Sequence, residues 1–337
     1  MTHTICLIPG DGIGQEVVPA AAEALKLLGL DLTFVEAEAG FACFEQHGSA
    51  LPEATLALAR KSDAVLFGAT SSPSTIVEGY RSPILALRRE FDLYANLRPV
   101  YSLPGAFSQP GIDLLIVREN TEGLYSGRER RDGDTAIAER VITRTGSERI
   151  VRVACEQAMQ RSESRRRLPV LTIVHKANVL KLTDGLFRDC ALKVAEEFPS
   201  IKVNELLVDS AAMKLVKSPQ SLDVLVTTNL FGDILSDEAS ALAGGLGVAA
   251  SASLGSGTPV FEPVHGSAPD IAGQGISNPV GALLSSALML ETLNEPDAAS
   301  RLRQAVLDTL ASGLFTTDLG GMATTRQFTG AVCARLG

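Results

Sequence analysis

Short, nearly continuous apolar runs alternate along the chain with longer segments whose apolar positions recur every three or four residues. TICLIPG (residues 4–10) predicts a buried strand, and GQEVVPAAAEALKLLG (14–29) predicts an amphipathic helix that ends in glycine. Further strands are predicted at residues 32–40, 64–70, 111–120, 168–179, 201–213 and 222–229. Buried strands separated by helices are typical of an α/β protein whose sheet is largely parallel.

The turn after the first strand, PGDGIG (residues 9–14), has the position of a dinucleotide-binding loop but not its spacing. The Rossmann fingerprint is G-x-G-x-x-G, whereas the glycines here fall at positions 10, 12 and 14. No acidic residue clearly ends a second strand at the expected distance. We therefore expect a glycine-rich turn that lets a ligand approach the backbone, and not a standard Rossmann site.

Composition and charge narrow the function classes. The 337 residues suffice for two domains or one large α/β domain. The longest apolar-rich stretch is too short to cross a membrane, and no signal-peptide pattern opens the chain, so we expect a cytoplasmic protein. Five scattered cysteines without a C-x-x-C pair argue against disulfides and against a zinc site. The net charge of −9 argues against nucleic-acid binding, and we interpret the basic runs at 128–131 and 162–169 as solvated loops.

Charged residues follow several predicted strands, at the edge where open α/β sheets bind ligands. Arg98, Arg118, Lys176 and Asp209 each stand where an apolar run ends. Arginine grips a carboxylate with two hydrogen bonds, so Arg98 and Arg118, with Arg88, could hold a polycarboxylate; alternatively, each pairs with a nearby acid. Lys176 could be a general base near a metal, or it could form an ordinary salt bridge.

Two aspartates in TNLFGDILSD, Asp233 and Asp237, are four residues apart and would share one face of a helix, about 5–6 Å apart at Cβ. Like charges at this spacing repel, so something must offset the repulsion. One explanation is the helix dipole, which favours acids in a first turn. The other is a bound cation; with Asp209, the pair supplies only oxygen ligands, which suit Mg²⁺ or Mn²⁺.

Seven motifs stand in the order typical of the β-decarboxylating dehydrogenases, which include isocitrate, 3-isopropylmalate, homoisocitrate and tartrate dehydrogenases. They are PGDGIG, LRRE with DLYANLRP, VRENTEGLY, HKANVLK, TNLFGDILSD, EPVHGSAPDIAGQGISNP and DLGG followed by ATT. The chain resembles this family nearly end to end. The resemblance implies an α/β, isocitrate/isopropylmalate dehydrogenase-like two-domain fold that is not of the Rossmann type.

The resemblance also implies the domain organisation and the assembly. Residues 1–98 and 248–337 would form a large NAD-binding domain that contains both termini. Residues 99–247 would form a small domain with the metal site and the dimer interface. The protein would be a homodimer, possibly a tetramer, whose active site is shared across the interface. Its partners would be a small hydroxy-polycarboxylate and a second copy of the chain, with no nucleic acid or membrane.

Site residues follow position by position from the same resemblance. Asp233 and Asp237 resemble the family's metal ligands, with Asp209 supplied by the partner subunit. Tyr125 and Lys176 resemble the catalytic acid–base pair, Lys176 also from the partner. The residues that resemble substrate contacts are Arg88, Arg98, Arg118, Asn178 and Ser72. Lys176 would remove the proton of the 2-hydroxyl, directly or through a water, and Tyr125 would protonate carbon after CO₂ leaves.

The stretch HGSAPDIAG resembles the adenosine-binding segment of the family. Asp270 and Ile271 stand where NADP-dependent isocitrate enzymes typically carry lysine and tyrosine. A carboxylate can bind ribose hydroxyls but repels a 2′-phosphate, so NAD is the expected cofactor. The other cofactor-binding residues by resemblance are Ile13, His265, Gly266, Ala268 and Asn278.

The helix before the first arginine, YRSPILALRRE, bears on the substrate. Ile84 and Leu85 could receive an isopropyl group, yet Arg81 stands where isopropylmalate enzymes usually carry an acid. VRENTEGLY also departs from their pattern, and SPI-x-ALRRE closely resembles homoisocitrate dehydrogenases. Arg81 and Ser72 are candidate contacts for a distal carboxylate, although Arg81 could equally be solvated. The expected reaction is homoisocitrate to 2-oxoadipate in lysine biosynthesis; the alternatives are 3-isopropylmalate in leucine biosynthesis, isocitrate or tartrate, and, remotely, a non-catalytic regulatory subunit.

Overall fold

The computed structural model describes residues 2–73 and 75–337 and shows a mixed α/β protein with mostly parallel strands. The strands are β1 (His3–Gly10), β2 (Leu32–Glu36), β3 (Ala64–Ala69), β4 (Ala95–Tyr101), β5 (Asp113–Glu119), β6 (Glu129–Asp132), β7 (Thr135–Ala138), β8 (Val170–His175), β9 (Lys202–Leu207), β10 (Val224–Thr227), β11 (Ala250–Leu254) and β12 (Val260–Pro263). The helices are α1 (Gly14–Lys26), α2 (Phe41–His47), α3 (Glu53–Lys61), α4 (Pro83–Glu90), α5 (Arg144–Arg165), α6 (Thr183–Ala195), α7 (Val208–Lys217), α8 (Asn229–Ala243), α9 (Val280–Thr292), α10 (Pro296–Ala311) and α11 (Thr325–Leu336).

The chain forms two compact units, each built from more than one segment. The first contains the residues up to Leu93, Leu103–Gln109 and Ala243–Gly337, and the second contains Tyr94–Ser102 and Pro110–Leu242. The domain boundaries expected from the resemblance, after residues 98 and 247, stay predictions.

In the first unit the strands follow the order β2–β1–β3–β12–β11. The pairs are parallel except for β11 with β12, which is antiparallel. β1 and β3 are buried almost throughout, which explains their continuous apolar runs. Helix α9 is the most apolar helix and is buried along nearly its whole length. Across residues 2–73 and 75–337, no helix combines the length and the apolar character needed to cross a membrane.

The glycine turn after β1 is shaped by the protein's own backbone. Gly10 has φ +74°, and a Cβ there would lie 2.0 Å from the carbonyl oxygen of Ala69. Gly12 has φ +56°, and its Cβ would lie 2.0 Å from the carbonyl oxygen of Ser267. These glycines are therefore required because neighbouring segments of the same unit approach so closely.

In the second unit the strands follow the order β4–β5–β10–β8–β9, and β6 and β7 form a separate antiparallel hairpin. Only β4 with β5 is antiparallel among the pairs described in this five-strand order. Two expectations about strand ends were wrong. Arg98 lies in the middle of β4, and Asp209 lies in the first turn of α7 because β9 already ends at Leu207.

The basic run at 162–169 is less solvated than its composition suggested. Arg165 donates to Asp113 at 2.6 Å, and Arg167 donates to Asp223 at 2.9 Å. Arg161, one turn earlier on α5, also pairs with Asp223. Because the side chain of Asp223 is only 8% exposed, these arginines neutralise a buried acid and fasten the end of α5.

Candidate active site

Asp233 and Asp237 lie on α8 and are both paired with arginines. Arg118 Nη1 donates to Asp233 Oδ1, and Arg98 reaches the same oxygen at 3.3 Å. Arg98 Nη1 also lies 3.1 Å from Asp237 Oδ1. Two guanidinium groups therefore offset the repulsion between the carboxylates. The helix dipole contributes less than the sequence suggested, because α8 begins at Asn229 and Asp233 lies beyond its first turn.

The acid pair also has the ligand type that a hard divalent cation needs. Burial raises the pKa of Asp237, the charge of Asp233 raises it further, and the nearby Arg98 and Arg118 lower it without reversing the shift. A cation bound beside Asp237 would lower the pKa of this carboxyl and favour its ionised form. Oxygen-only ligands fit Mg²⁺ or Mn²⁺, so Asp233 and Asp237 could hold either ion.

The two arginines are held by side chains outside the set of candidate site residues. Arg98 donates to Asn96 Oδ1 at 2.8 Å and to Ser236 Oγ at 2.6 Å. Arg118, which is almost fully buried, donates to Asn229 Oδ1 at 2.8 Å. The Nδ2 atom of Asn229 is buried and has no hydrogen-bond partner among the described residues. Such a donor, oriented beside Arg118, suits an incoming anionic group.

Gly232 makes the close packing of Arg118 against α8 possible. A Cβ at position 232 would lie 2.6 Å from Arg118 Cγ and 2.8 Å from Arg118 Cβ. Glycine is unfavourable inside a helix by about 1 kcal/mol relative to alanine, so a packing reason is expected where it occurs. Here the reason is that Arg118 lies against the helix backbone.

Tyr125 joins the same cluster from a single 3₁₀ turn, Leu124–Ser126. Its hydroxyl donates to Asp233 Oδ2, and the guanidinium of Arg118 lies 5.0 Å from the ring centroid. Burial raises the pKa of Tyr125, and the hydrogen bond to Asp233 raises it further. The phenol therefore keeps its proton at neutral pH, which is what a general acid requires.

Lys176 and Asp209 form a second cluster. Lys176 Nζ donates to Asp209 Oδ1, and this bond lowers the pKa of the carboxyl. Within residues 2–73 and 75–337, Asp209, Asp233 and Asp237 do not form a group whose ligand oxygens all lie within 4.8 Å of one another. Within one chain, the candidate metal ligands Asp233 and Asp237 share helix α8. The third candidate ligand, Asp209, is paired with the candidate base Lys176 instead.

A buried ion pair fixes the backbone at Lys176. Asp184, which is fully buried, accepts a hydrogen bond from Lys176 N at 2.6 Å and pairs with Arg140 at 2.7 Å. His175 is buried, accepts from Ala177 N and lies 3.3 Å from Glu205. It is thus a core histidine with satisfied ring atoms, whereas Asn178, just beyond Lys176, is exposed.

Four candidate substrate contacts lie in the first unit. Arg88, on α4, is buried and pairs with Glu262 at 2.9 Å, while its Nε atom has no partner among the described residues. Leu85 is half-buried on the same helix, whereas Ser72 and Arg81 are exposed. A buried guanidinium N–H without a partner is suited to donate a hydrogen bond to an anion.

Apart from Ile13, which precedes α1, the candidate cofactor residues lie after β12 in the same unit. His265 Nε2 is buried and has no hydrogen-bond partner in the described chain, and burial lowers the pKa of the ring. Asn278 Nδ2 donates to Asp318 at 2.9 Å. Asp318 was not among the candidate residues suggested by the sequence. Ile13 N donates to the carbonyl of Ser267 and so ties the glycine turn to this segment. An orphaned neutral imidazole nitrogen fits the hydrogen-bonding edge of an adenine.

The other candidate residues of this segment are exposed to solvent or form a turn of the backbone. Gly266 and Asp270 are exposed, and nothing lies within 4 Å of a Cβ built on Gly266. Ala268 has φ +39°, in the left-handed region, and Ile271 N donates to its carbonyl. The exposed carboxylate of Asp270 and the half-buried Ile271 are thus presented by a tight turn.

Comparisons with known proteins identify the family of this chain. The model of the family "Isocitrate/isopropylmalate dehydrogenase" matches residues 4–332. An isocitrate/homoisocitrate dehydrogenase of Thermus thermophilus is 54% identical over 336 residues, covering 100% of this chain and 99% of that protein. A 3-isopropylmalate dehydrogenase of Methanothermobacter thermautotrophicus is 49% identical over 333 residues, covering 98% of each.

The crystal structure of isocitrate dehydrogenase from Methylococcus capsulatus has a TM-score of 0.94 to this chain, at 42% identity, with 99% of each chain covered. The predicted fold class is therefore confirmed. Members of the family generally use NAD(P) and a divalent metal, for which the acid pair and the segment after β12 are suitable. The chain belongs to the isocitrate/isopropylmalate dehydrogenase family of β-decarboxylating oxidoreductases.

Proposed function

We propose that the protein catalyses the NAD-dependent oxidative decarboxylation of a 2-hydroxy polycarboxylate, with Mg²⁺ or Mn²⁺ as the metal and homoisocitrate as the first candidate substrate. The observation that carries the proposal is the convergence of Arg98, Arg118 and Tyr125 on the acid pair of α8. This cluster offers two carboxylates as cation ligands, two guanidinium groups that can donate to substrate carboxylates, and a protonated phenol as an acid. All of these groups belong to one compact unit.

The side chains of this protein divide the proposed chemistry between them. When bound, the metal supplies Lewis-acid stabilisation of the developing negative charge, and NAD accepts the hydride from C2. Lys176 takes the 2-hydroxyl proton, directly or through one water. Arg98 and Arg118 bind substrate carboxylates and hold them in place. After the β-carboxylate leaves as CO₂, Tyr125 gives its proton to the carbon that carried it.

We also propose that the functional form is a homodimer in which Lys176 and Asp209 serve the site of the other subunit. In the described structure these two residues pair with each other, and apolar side chains near them in the sequence are exposed: Val179 64%, Leu182 87%, Met213 56% and Val216 58%. Apolar side chains concentrated on the segments around a candidate base favour a protein partner, and a second copy places a base and a third carboxylate at each site.

The substrate choice rests on α4 and the segment before it. Arg81 is exposed and suited to a distal carboxylate, which favours homoisocitrate. Glu122, one of the departures from the isopropylmalate pattern, accepts hydrogen bonds from Thr143 N and Oγ1. Glu122 therefore stabilises the start of α5. Because it has this structural role, its presence in the motif is weaker evidence about the substrate than the sequence suggested.

A second candidate substrate is 3-isopropylmalate. Leu85 is half-buried and available, whereas Ile84 packs against the core of the first unit. Leu85 could therefore contact an apolar arm. Relatives named for the two substrates have similar identity to this chain, so the comparisons favour neither strongly.

Turnover measurements test the proposal. Purified protein is assayed for NADH formation with homoisocitrate, isocitrate and 3-isopropylmalate, with Mg²⁺ or Mn²⁺ and again after EDTA. We expect turnover that requires metal and is restored when metal is returned, with the highest kcat/KM for homoisocitrate. A preference for 3-isopropylmalate of about tenfold or more would overturn the substrate assignment, because a small apolar arm discriminates by roughly that factor. Full turnover in EDTA would overturn the metal assignment.

A further inference from the structure

Helix α2 and the segment before it carry three metal-ligating side chains that the proposed reaction does not use. Cys43 and His47 are four residues apart on α2, so they lie on one face, and Glu38 precedes the helix. One ligand atom from each of the three residues lies within 4.8 Å of the other two. No other such group of three His, Cys, Asp or Glu residues occurs in the described ranges.

The separation between His47 and Glu38 suits a shared metal ion better than a hydrogen bond. His47 Nε2 and Glu38 Oε2 are 3.6 Å apart, which is too long for a hydrogen bond. Two ligands bound at 2.0–2.1 Å to tetrahedral zinc lie roughly 3.4 Å apart. Small rotations of the exposed Glu38 and His47 side chains would bring both ligands and the Cys43 sulfur to one centre.

A cavity beside this cluster provides access and room for a fourth ligand. It has a volume of about 370 Å³, and its lining includes Glu36, Glu38, Cys43 and Gln46. Although Cys43 is only 6% exposed, it contributes to the cavity wall. Three protein ligands with one position left for water are a common zinc arrangement.

The helix that presents two of the ligands is anchored without any metal. Asp11 accepts hydrogen bonds from Phe41 N at 2.7 Å, from Ala42 N at 3.1 Å and from Ser71 N at 2.8 Å. Gly40 permits this approach, since a Cβ there would lie 2.5 Å from the Asp11 carboxylate. The backbone that carries Cys43 and His47 is therefore fixed at the start of α2 before a metal binds, which lowers the ordering cost of binding.

We propose that Glu38, Cys43 and His47 form a site for a thiophilic divalent cation, Zn²⁺ foremost, separate from the oxygen-ligand site on α8. The mixed sulfur, nitrogen and oxygen set is one that zinc accepts and that Mg²⁺ does not. The sequence argued against zinc because it lacks C-x-x-C, but a cysteine and a histidine one helical turn apart need no second cysteine. The inference does not depend on the proposed dehydrogenase reaction.

Cobalt spectroscopy tests the ligand set directly. Purified protein saturated with Mg²⁺ is titrated with Co²⁺, and the near-ultraviolet thiolate-to-cobalt band is recorded, followed by displacement with Zn²⁺. We expect a band that saturates at one Co²⁺ per chain and is lost on adding zinc. It should be absent in Cys43→Ser and retained in Cys333→Ser, a control cysteine that is partly buried and lies on α11. No band in the wild type, or a band retained in Cys43→Ser, would overturn the proposal.

A second readout guards against a variant that fails to fold. His47 is exposed, so His47→Gln should unfold at the wild-type temperature when no metal is present. Zn²⁺ should raise the unfolding temperature of the wild type but shift that of His47→Gln much less, because binding to the folded state alone stabilises it. Asp237→Asn, which changes the α8 site, should keep the full zinc-induced shift. An equal shift in wild type and His47→Gln would contradict the assignment.

Discussion

Arg118 shows how one side chain can organise a site. Its guanidinium contacts Asp233 and Asn229, and it lies over the ring of Tyr125. It is almost completely buried, so its charge is little screened by solvent and acts strongly on the carboxylate and the phenol. Arg118 therefore links the candidate cation ligand Asp233 to the candidate acid Tyr125. It is also itself a candidate hydrogen-bond donor to a substrate carboxylate.

The proposed preference for NAD rests on a single residue, Asp270. Asp270 is exposed, so replacing it should alter binding with little effect on folding. We expect Asp270→Lys to lower kcat/KM for NAD about tenfold or more and to raise it for NADP, because lysine attracts the 2′-phosphate that aspartate repels. The measurement is the ratio of kcat/KM values for the two cofactors.

The matched control for this experiment is Asp297→Lys. Asp297 is also exposed and lies in the first turn of α10, so the net charge changes equally while the segment after β12 is untouched. Its cofactor ratio should equal that of the wild type. If Asp270→Lys leaves the ratio unchanged, Asp270 does not select the cofactor.

Among the elements, α8 carries the acid pair and accommodates Arg118 at the same time. A helix can present two acids on one face, but it can lie close to a buried arginine only where a side chain is missing. Gly232 is that position, and the acids that follow it on the helix, Asp233 and Asp237, are paired with arginines. Packing and charge are therefore coupled along one helix.

Gly232→Ala tests this coupling. Inside an ordinary helix, glycine to alanine stabilises by about 0.5–1 kcal/mol. Here the new Cβ would meet Arg118 at 2.6 Å, so we expect a loss of stability of about 1–3 kcal/mol and a raised KM for the hydroxy acid. Urea denaturation and steady-state kinetics measure the two effects.

Gly330→Ala is the control, since Gly330 lies inside α11 with nothing within 4 Å of a built Cβ. This variant should be slightly stabilised and should keep the wild-type KM. If Gly232→Ala is stabilised equally, Arg118 adjusts freely and the glycine has no packing role.

At the scale of the whole molecule, the two clusters of the second unit pose a question of assembly. Tyr125 lies with Asp233, whereas Lys176 lies with Asp209 and is held by Asp184. If each active site takes Tyr125 from one subunit and Lys176 from the other, catalysis requires two chains. A monomer would then hold an acid without its base.

Subunit complementation tests the shared site. Tyr125→Phe and Lys176→Ala are each expected to be nearly inactive. When the two variants are co-expressed, each mixed dimer contains one intact site, so random pairing should restore about one quarter of the wild-type specific activity. The measurement is NADH formation by the purified mixture at a fixed total protein concentration.

The control is co-expression of Tyr125→Phe with the double variant Tyr125→Phe/Lys176→Ala, which cannot form an intact site in any combination and should stay inactive. A mixture of the two single variants that shows no recovery, although mixed dimers are demonstrated by two affinity tags, would show that each chain supplies its own base.

The sequence by itself determined the features that depend on neighbouring residues and on motif order. The apolar runs predicted β1, β3, β5 and β8 because buried parallel strands need such runs, and the four-residue spacing placed Asp233 and Asp237 on one helix. The family motifs gave the fold class and the candidate residues. Such signals are local, so they can be read from the chain without knowing how it is packed.

Only the tertiary structure decided which groups meet. Arg98 and Asp237 are 139 residues apart, and Arg118 and Asp233 are 115 apart, so the neutralisation of the acid pair could not be read from spacing. The packing reason for Gly232 and the meeting of Glu38 with α2 likewise depend on how separate segments of the chain fold against each other. Charge pairing and close packing act over a few ångströms in space, and distance along the chain does not report them.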